Sequence, residues 1–252
     1  MSCHHRADEA AASADRTAIR PPHPRLLYAH RPRDPRAVVL VLHGGGGDGS
    51  QPVGLLQPSV LRTIPLARWI ARANRHVAVL RLINATRGFP DDPLRDIHWA
   101  LPRIQQRFAG PPVCLVGHSL GGSVALAAAG HGGVVSVVAL APWLSGDEHV
   151  RQLCGRHTLI VHGQRDSVTS ARASERYAAR ARSVGAAASV ISVRRGDHAM
   201  LRRFPVFDRL AADYAALSLP IDSEPGRRWR PNRGRAAHLL AHALTMPGSY
   251  VL

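Results

Sequence analysis

The chain has 252 residues, enough for one large core or two small ones, and with 45% apolar and 20% charged residues it reads as a globular protein, neither disordered nor fibrous. Its formal net charge of +16 comes from 33 basic residues, all arginine, against 17 acidic ones; they are scattered along the chain, which argues against a nucleic-acid footprint and leaves a diffuse field favouring anionic small molecules. Three cysteines with no C-x-x-C spacing argue against a disulfide framework or structural zinc and point to a cytoplasmic protein.

Residues 1–35 read as a mobile N-terminal arm in which His4 and His5 are solvated, and acidic residues interrupt the apolar stretch a secretory signal would need. No run approaches the roughly 18 apolar residues of a membrane span, so no membrane partner is expected. From Arg36 onward, β-branched runs alternate with Ala-, Leu- and Arg-rich stretches, which predicts an α/β fold: a mostly parallel sheet with helices on both faces. Residues 37–42 are apolar on both faces, as a central parallel strand must be, and stop at His43 and four glycines. A helix at 64–74, a strand at 77–82, a turn at 87–90 and a helix at about 93–108 follow, the last kinked or started by Pro102. Residues 113–116 form the strand entering the Ser119 turn and 123–129 the small-residue helix leaving it. Strands at 134–140, 158–161 and 189–193 and helices at 171–184 and 203–217 complete a domain spanning 36–219 with six strands. About seventeen residues separate Leu140 from Thr158, too few for a large cap, so the site should be open. Residues 220–252, rich in Pro and Arg, read as a flexible basic tail with at most one short helix. Asn84-Ala85-Thr86 matches a glycosylation sequon and reads as an ordinary loop.

Gly117-His118-Ser119-Leu120-Gly121 carries the chemistry. A serine hydroxyl needs a strained turn to expose it and a base to take its proton, and glycines two residues either side of Ser119 let a strand-to-helix elbow fold tightly. Oxyanion donors come from the amide of Leu120 and from the loop after the first central strand, where Gly45 is favoured and Gly46 is the alternative. His198, in Gly196-Asp197-His198-Ala199-Met200 just past the last predicted strand, is the candidate base; His118 should pack beside the elbow, His43 should brace the oxyanion loop and His162 is read as structural. Asp166 is the candidate acid because it precedes His198 at the same sheet edge, with Asp147 and Glu148 as fallbacks and Asp197 given a turn-forming role. Trp143, Leu144 and Met200 are candidate walls of the substrate site, and Arg81 and Arg87 would favour an anionic substrate if they approach it.

The glycine loop also holds a G-x-G-x-x-G match at Gly44, Gly46 and Gly49, the basis of a rival NADP-binding Rossmann reading in which Arg81 holds the 2′-phosphate. Pro52, Pro58 and Pro65, and the lack of acidic residues between Asp48 and Asp91, weigh against it. The H-G-G loop, G-H-S-L-G-G elbow, H-G-x-x-D and G-D-H-A segments occur in the order found in α/β-hydrolases, and over about residues 36–219 the chain resembles a lidless, dienelactone-hydrolase-like or small carboxylesterase member of that superfamily. Dienelactone hydrolases use cysteine where this chain has Ser119, so their substrate does not carry over. The resemblance implies a serine hydrolase acting on a small carboxylic ester or thioester, with no metal or organic cofactor. The alternatives are a peptidase or acyltransferase on the same residues, or a non-catalytic binding protein.

Overall fold

In a computed structural model of the protein, the described residues are 22–46, 49, 51–88, 92–221 and 235–252. Eight strands make one sheet: β1 (Arg25–His30), β2 (Ala37–Leu42), β3 (Val77–Ile83), β4 (Val113–His118), β5 (Val134–Leu140), β6 (His157–Gly163), β7 (Ala187–Val193) and β8 (Ser249–Val251). Their order across the sheet is β1-β3-β2-β4-β5-β6-β7-β8; β1 runs antiparallel to β3 and every other pairing is parallel. The helices are α1 (Pro58–Ala73), α2 (Arg95–Arg107), α3 (Leu120–Ala127), α4 (Ala171–Ser183), α5 (Phe204–Ser218) and α6 (Arg235–Thr245).

Alternation along the strands divides the interior into two layers. Val38, Leu40 and Leu42 of β2 face Ile97, Leu101 and Ile104 of α2, Ala125 of α3 and Ala178 of α4. Val39 and Val41 face the other way, toward Leu66 and Ile70 of α1, Phe207 and Leu210 of α5 and Leu240 of α6. All six residues of β2 are therefore buried, the reason its sequence is a continuous apolar run. Because β2 and β4 to β7 are parallel, their C-terminal ends open on one edge, and the loops leaving that edge carry the candidate chemistry.

Both ends of the chain extend the fold past the expected 36–219. Part of the presumed N-terminal arm is β1, which closes the sheet by pairing Arg25 with Ile83 and Tyr28 with Leu80. Part of the presumed C-terminal tail is α6 and β8: Leu240 is fully buried, the Ser189 hydroxyl donates to the Ala243 carbonyl at 2.7 Å, and β8 pairs with β7. Residues 1–21 and 222–234 of these two segments lie outside the described residues. Helix α1 starts six residues before the predicted 64, because Pro58 sits in its first turn, where a missing N–H costs nothing, and Pro65 is carried within it by burial of Val60, Leu66, Ala67 and Ile70. Between β5 and β6 the chain forms only loop and a short 3-10 turn at Arg151–Leu153, so no large cap stands over the sheet edge.

Candidate active site

Ser119 lies between β4 and α3 with φ 55° and ψ −121°, a backbone that L-residues avoid. The elbow is held because the Ser119 amide donates to the Leu140 carbonyl at 2.9 Å, while the Ser119 carbonyl accepts from the amides of Gly122 at 2.9 Å and Trp143 at 3.3 Å. No side chain fits on either flank. A Cβ on Gly117 would lie 2.0 Å from the Gly121 carbonyl oxygen, and one on Gly121 would lie 2.4 Å from that of His43.

The structure brings Ser119, His198 and Asp166 together. His198, on the loop between β7 and α5, places Nε2 3.1 Å from Ser119 Oγ and Nδ1 2.9 Å from Asp166 Oδ2. Asp166, on the loop after β6, has its side chain fully buried, and its Oδ1 accepts the amides of Val168 and Thr169 at 2.8 Å each. Burial works to raise its pKa, but these amides, His198 and the Thr169 hydroxyl outweigh it and hold Asp166 below the usual carboxylate value. The loops bearing the candidate acid and base are laced by the Arg165 amide on the Gly196 carbonyl at 2.8 Å and the Gln164 amide on that of Val193 at 3.0 Å. Asp147 is exposed and bonds the Ser145 hydroxyl, and Glu148 accepts from the backbone of Ser145 and Gly146, so both fallback acids serve their own turn. Asp197 likewise accepts the Arg202 amide at 3.3 Å.

On the oxyanion side, neutral His43 donates Nδ1–H to the Gly44 carbonyl at 2.6 Å and accepts the Asn84 amide on Nε2 at 3.1 Å, pinning the loop after β2. Burial lowers the His43 pKa, in keeping with that neutral role. The Gly46 amide is engaged by the Arg87 carbonyl at 3.3 Å, whereas the amides of Gly45 and Leu120 make no backbone hydrogen bond with other described residues outside helix α3. A Cβ on Gly45 would stand 2.6 Å from the Arg87 oxygen and 2.8 Å from Leu120 Cδ2, so the loop presses directly on the elbow there.

The other expected site residues divide. Trp143 is 55% exposed beside the elbow. Leu144 lines a cavity of about 410 Å³ along α3 with Leu94, Ser123, Leu126, Ala127 and Tyr177. Met200 does not wall the site: its φ of 59° turns the side chain into the core, where it is fully buried in the layer containing Phe207. Arg81 lies on the face of β3 that meets α1 and donates to the Thr63 hydroxyl at 3.2 Å and the Val60 carbonyl at 3.4 Å, so it is a structural partner of that helix. The exposed Arg87 guanidinium meets the side-chain oxygen of Gln57. In the sequon, Asn84, Ala85 and Thr86 are all buried.

The rival dinucleotide reading is overturned by the same loop. Among the described residues no helix begins at the glycines: the chain passes through an isolated bridge from Pro52 to Thr86 and α1 starts only at Pro58, so none of them offers a helix N-terminus at this loop to receive a pyrophosphate. Composition and spacing also gave no sign of Thr169 and Ser174, which complete the surroundings of Asp166 and become visible only when β6 and α4 pack together.

A family model described as the alpha/beta hydrolase family matches residues 38–250. No curated protein sequence matches the chain significantly. Similar solved structures include an alpha-beta serine hydrolase homologue from Coxiella burnetii, at 14% identity and a TM-score of 0.58, covering 75% of this chain and 90% of that one. XC6422 from Xanthomonas campestris, described as a serine hydrolase without lid, has 14% identity and a TM-score of 0.58 over 79% of this chain and 90% of its own. Est1E from Butyrivibrio proteoclasticus has 15% identity and a TM-score of 0.56 over 76% and 91%. These likenesses are of fold, and the family match, running from β2 into β8, includes the C-terminal segment that sequence alone had set aside as a tail. The chain belongs to the alpha/beta hydrolase family.

Proposed function

We propose that this protein is a serine hydrolase that cleaves a small carboxylic ester or thioester through an acyl-enzyme intermediate. The observation that carries the reading is the continuous line Ser119 Oγ to His198 Nε2 at 3.1 Å and His198 Nδ1 to Asp166 Oδ2 at 2.9 Å. In this reading His198 takes the Ser119 proton as the hydroxyl attacks the acyl carbonyl, and Asp166 holds the ring in the tautomer that leaves Nε2 free to do so. Charge developing on the carbonyl oxygen is met by the amides of Gly45 and Leu120. Collapse expels the alcohol or thiol, protonated by His198, and the same ring then activates water to release the acid.

The cavity beside α3 supports an acyl substrate. Its Gln152 amide is already bonded to the carbonyls of Leu126 and His149, and the Tyr177 hydroxyl to that of His149, so these two polar groups are satisfied; Glu148 and His149 also line the cavity, and the surface left is largely apolar. Ser123 on its wall is one helical turn beyond Ser119. With Arg81 and Arg87 engaged elsewhere, any preference for anionic substrates rests on the overall charge of +16. Cys114 and Cys154 are free, which suits the cytoplasm, and no helix among the described residues is long and apolar enough to cross a membrane.

The test is labelling with a fluorophosphonate, expected to modify the wild type and not Ser119→Ala, followed by turnover of an ester and thioester series. A folded sample that does not label would sink the hydrolase reading in favour of a binding protein. Amide cleavage, or acyl transfer to an added alcohol, at rates above ester hydrolysis would instead assign a peptidase or acyltransferase.

A further inference from the structure

Asp166 is faced by two imidazoles. His162, near the end of β6 and with none of its side chain exposed, brings Nε2 to 3.2 Å from Asp166 Oδ2, the oxygen that also accepts from His198. Its Nδ1 is 2.9 Å from the hydroxyl of Ser174 on α4, itself fully buried. An ionised carboxylate only accepts, so the nitrogen facing Asp166 carries the hydrogen. Burial, against the pull of Asp166, keeps the ring neutral, so Nδ1 is a lone pair and Ser174 must donate to it. Thr169 Oγ1, which donates to Asp166 Oδ2 at 2.9 Å, stands 3.3 Å from His162 Nε2 and offers that N–H a second acceptor. Four donors thus converge on one carboxylate, His198 and the Thr169 hydroxyl on Oδ2 and two amides on Oδ1, and the His162 N–H, shared with Thr169, stands 3.2 Å from the same Oδ2.

We propose that His162 is a positioning residue: locked by Ser174 in its Nε2–H form, it holds Asp166 from the buried side with Oδ2 turned toward His198. The inference rests on Asp166 and His198 being acid and base of the proposed hydrolase. Removing the His162 donor concentrates the carboxylate charge on His198, which stabilises the imidazolium, so the base is protonated at higher pH. The other groups facing this cluster are unchanged by substitution at 162: His118 from β4, with its ring centroid 5.2 Å from that of His198; Arg62 from α1, bonded to the Ala199 carbonyl and paired with Asp208 of α5; and Asp197 on the base loop.

The test combines kcat/KM against pH for His162→Leu, His162→Gln and Ser174→Ala with ¹⁵N imidazole spectra of the wild type. His162→Leu should lose about tenfold in kcat and move the acid limb of the profile upward by about half a pH unit. His162→Gln, which keeps an N–H donor, should recover much of both. Ser174→Ala should shift the limb the same way by less, and the spectra should show His162 protonated on Nε2. An acid limb unmoved in folded His162→Leu, or a wild-type His162 protonated on Nδ1, would overturn the proposal. If His162→Leu does not fold, the Ser174→Ala profile and the tautomer decide. Failure of the wild type to label with fluorophosphonate sinks the hydrolase reading instead, and His162 is then judged by its tautomer, which needs no turnover.

Discussion

The Nε2–H of His118 donates to the carbonyl oxygen of His198 at 2.9 Å, so the residue before the candidate nucleophile holds the backbone of the candidate base. With Nε2 committed as a donor, His118 Nδ1 is a buried acceptor without a partner among the described residues, and burial pushes the ring's pKa down to about 4. The unfolded chain binds this proton near pH 6.5, so stability is fully present above that value and lost as pH falls toward 4, by up to about 3 kcal/mol. Burial lowers the pKa of His43 and His162 as well, with the same sign, while Asp213, raised by burial to about 6, works oppositely over the lower part of the window. His118→Asn keeps an N–H for the His198 carbonyl and does not titrate. Urea unfolding at a series of pH values should show a flatter fall between pH 6.5 and 4 in this variant; an unchanged slope would remove His118 as the cause.

The two glycines of the proposed oxyanion loop should respond differently to one methyl group. Gly45→Ala drives its Cβ to 2.6 Å from the Arg87 oxygen and 2.8 Å from Leu120, so the loop must withdraw. Loss of one oxyanion donor lowers kcat by about 10²-fold with little change in KM. The Cβ of Gly46→Ala meets nothing within 4 Å, and this variant should stay close to wild type. Steady-state kinetics of the two on one ester decides; equal loss in both would move the donor away from Gly45.

The central strands were legible because burial on both faces leaves no room for polar alternation, as in Ala37–Leu42. The elbow was legible because backbone lies within 3 Å of where a Cβ on Gly117 or Gly121 would stand and admits no side chain, which writes glycine into the motif. Segments that join the sheet at its edges were not: β1 and β8 are short and partly exposed, and α6 follows a Pro- and Arg-rich stretch that carries no periodicity. Arg81 follows Val77 and Val79 at strand period on the face of β3 that meets α1, so its engagement there follows from alternation. Met200 misled because a left-handed turn, invisible in composition, rotates it from the rim into the core. The partners of Asp166 and His198 include residues of β4 and β6, and α4 supplies Ser174 behind His162, so they appear only with tertiary packing.

Arg62 ties α1 both to the core and to the site. Its guanidinium pairs with Asp208 at 2.7 Å, with side chains 10% and 0% exposed, and its Nε donates to the Ala199 carbonyl at 3.2 Å, one residue beyond His198. Burial raises the Asp208 pKa despite Arg62, so Arg62→Leu leaves an unpaired buried carboxylate and should cost about 3–5 kcal/mol. Arg62→Leu with Asp208→Leu should recover most of that stability but not the contact to Ala199. Denaturation and kinetics on both variants are expected to separate the two roles: stability returns in the double variant while kcat stays reduced.

The backbone strain at Ser119 gives the last prediction a sign opposite to that of most substitutions. At φ 55° and ψ −121° a side chain costs on the order of 1–3 kcal/mol, which the elbow carries because Leu140, Gly122 and Trp143 hold its amide and carbonyl. Ser119→Gly removes the Cβ and should raise stability by about 1 kcal/mol, net of the extra entropy glycine gives the unfolded chain. Ser119→Ala keeps the Cβ and the strain and should gain little. Both lack the hydroxyl and should be inert to a fluorophosphonate, so thermal unfolding of three unlabelled proteins isolates the strain from the chemistry. If glycine proved no more stable than alanine, the energy stored at the candidate nucleophile would be smaller than its dihedral angles imply.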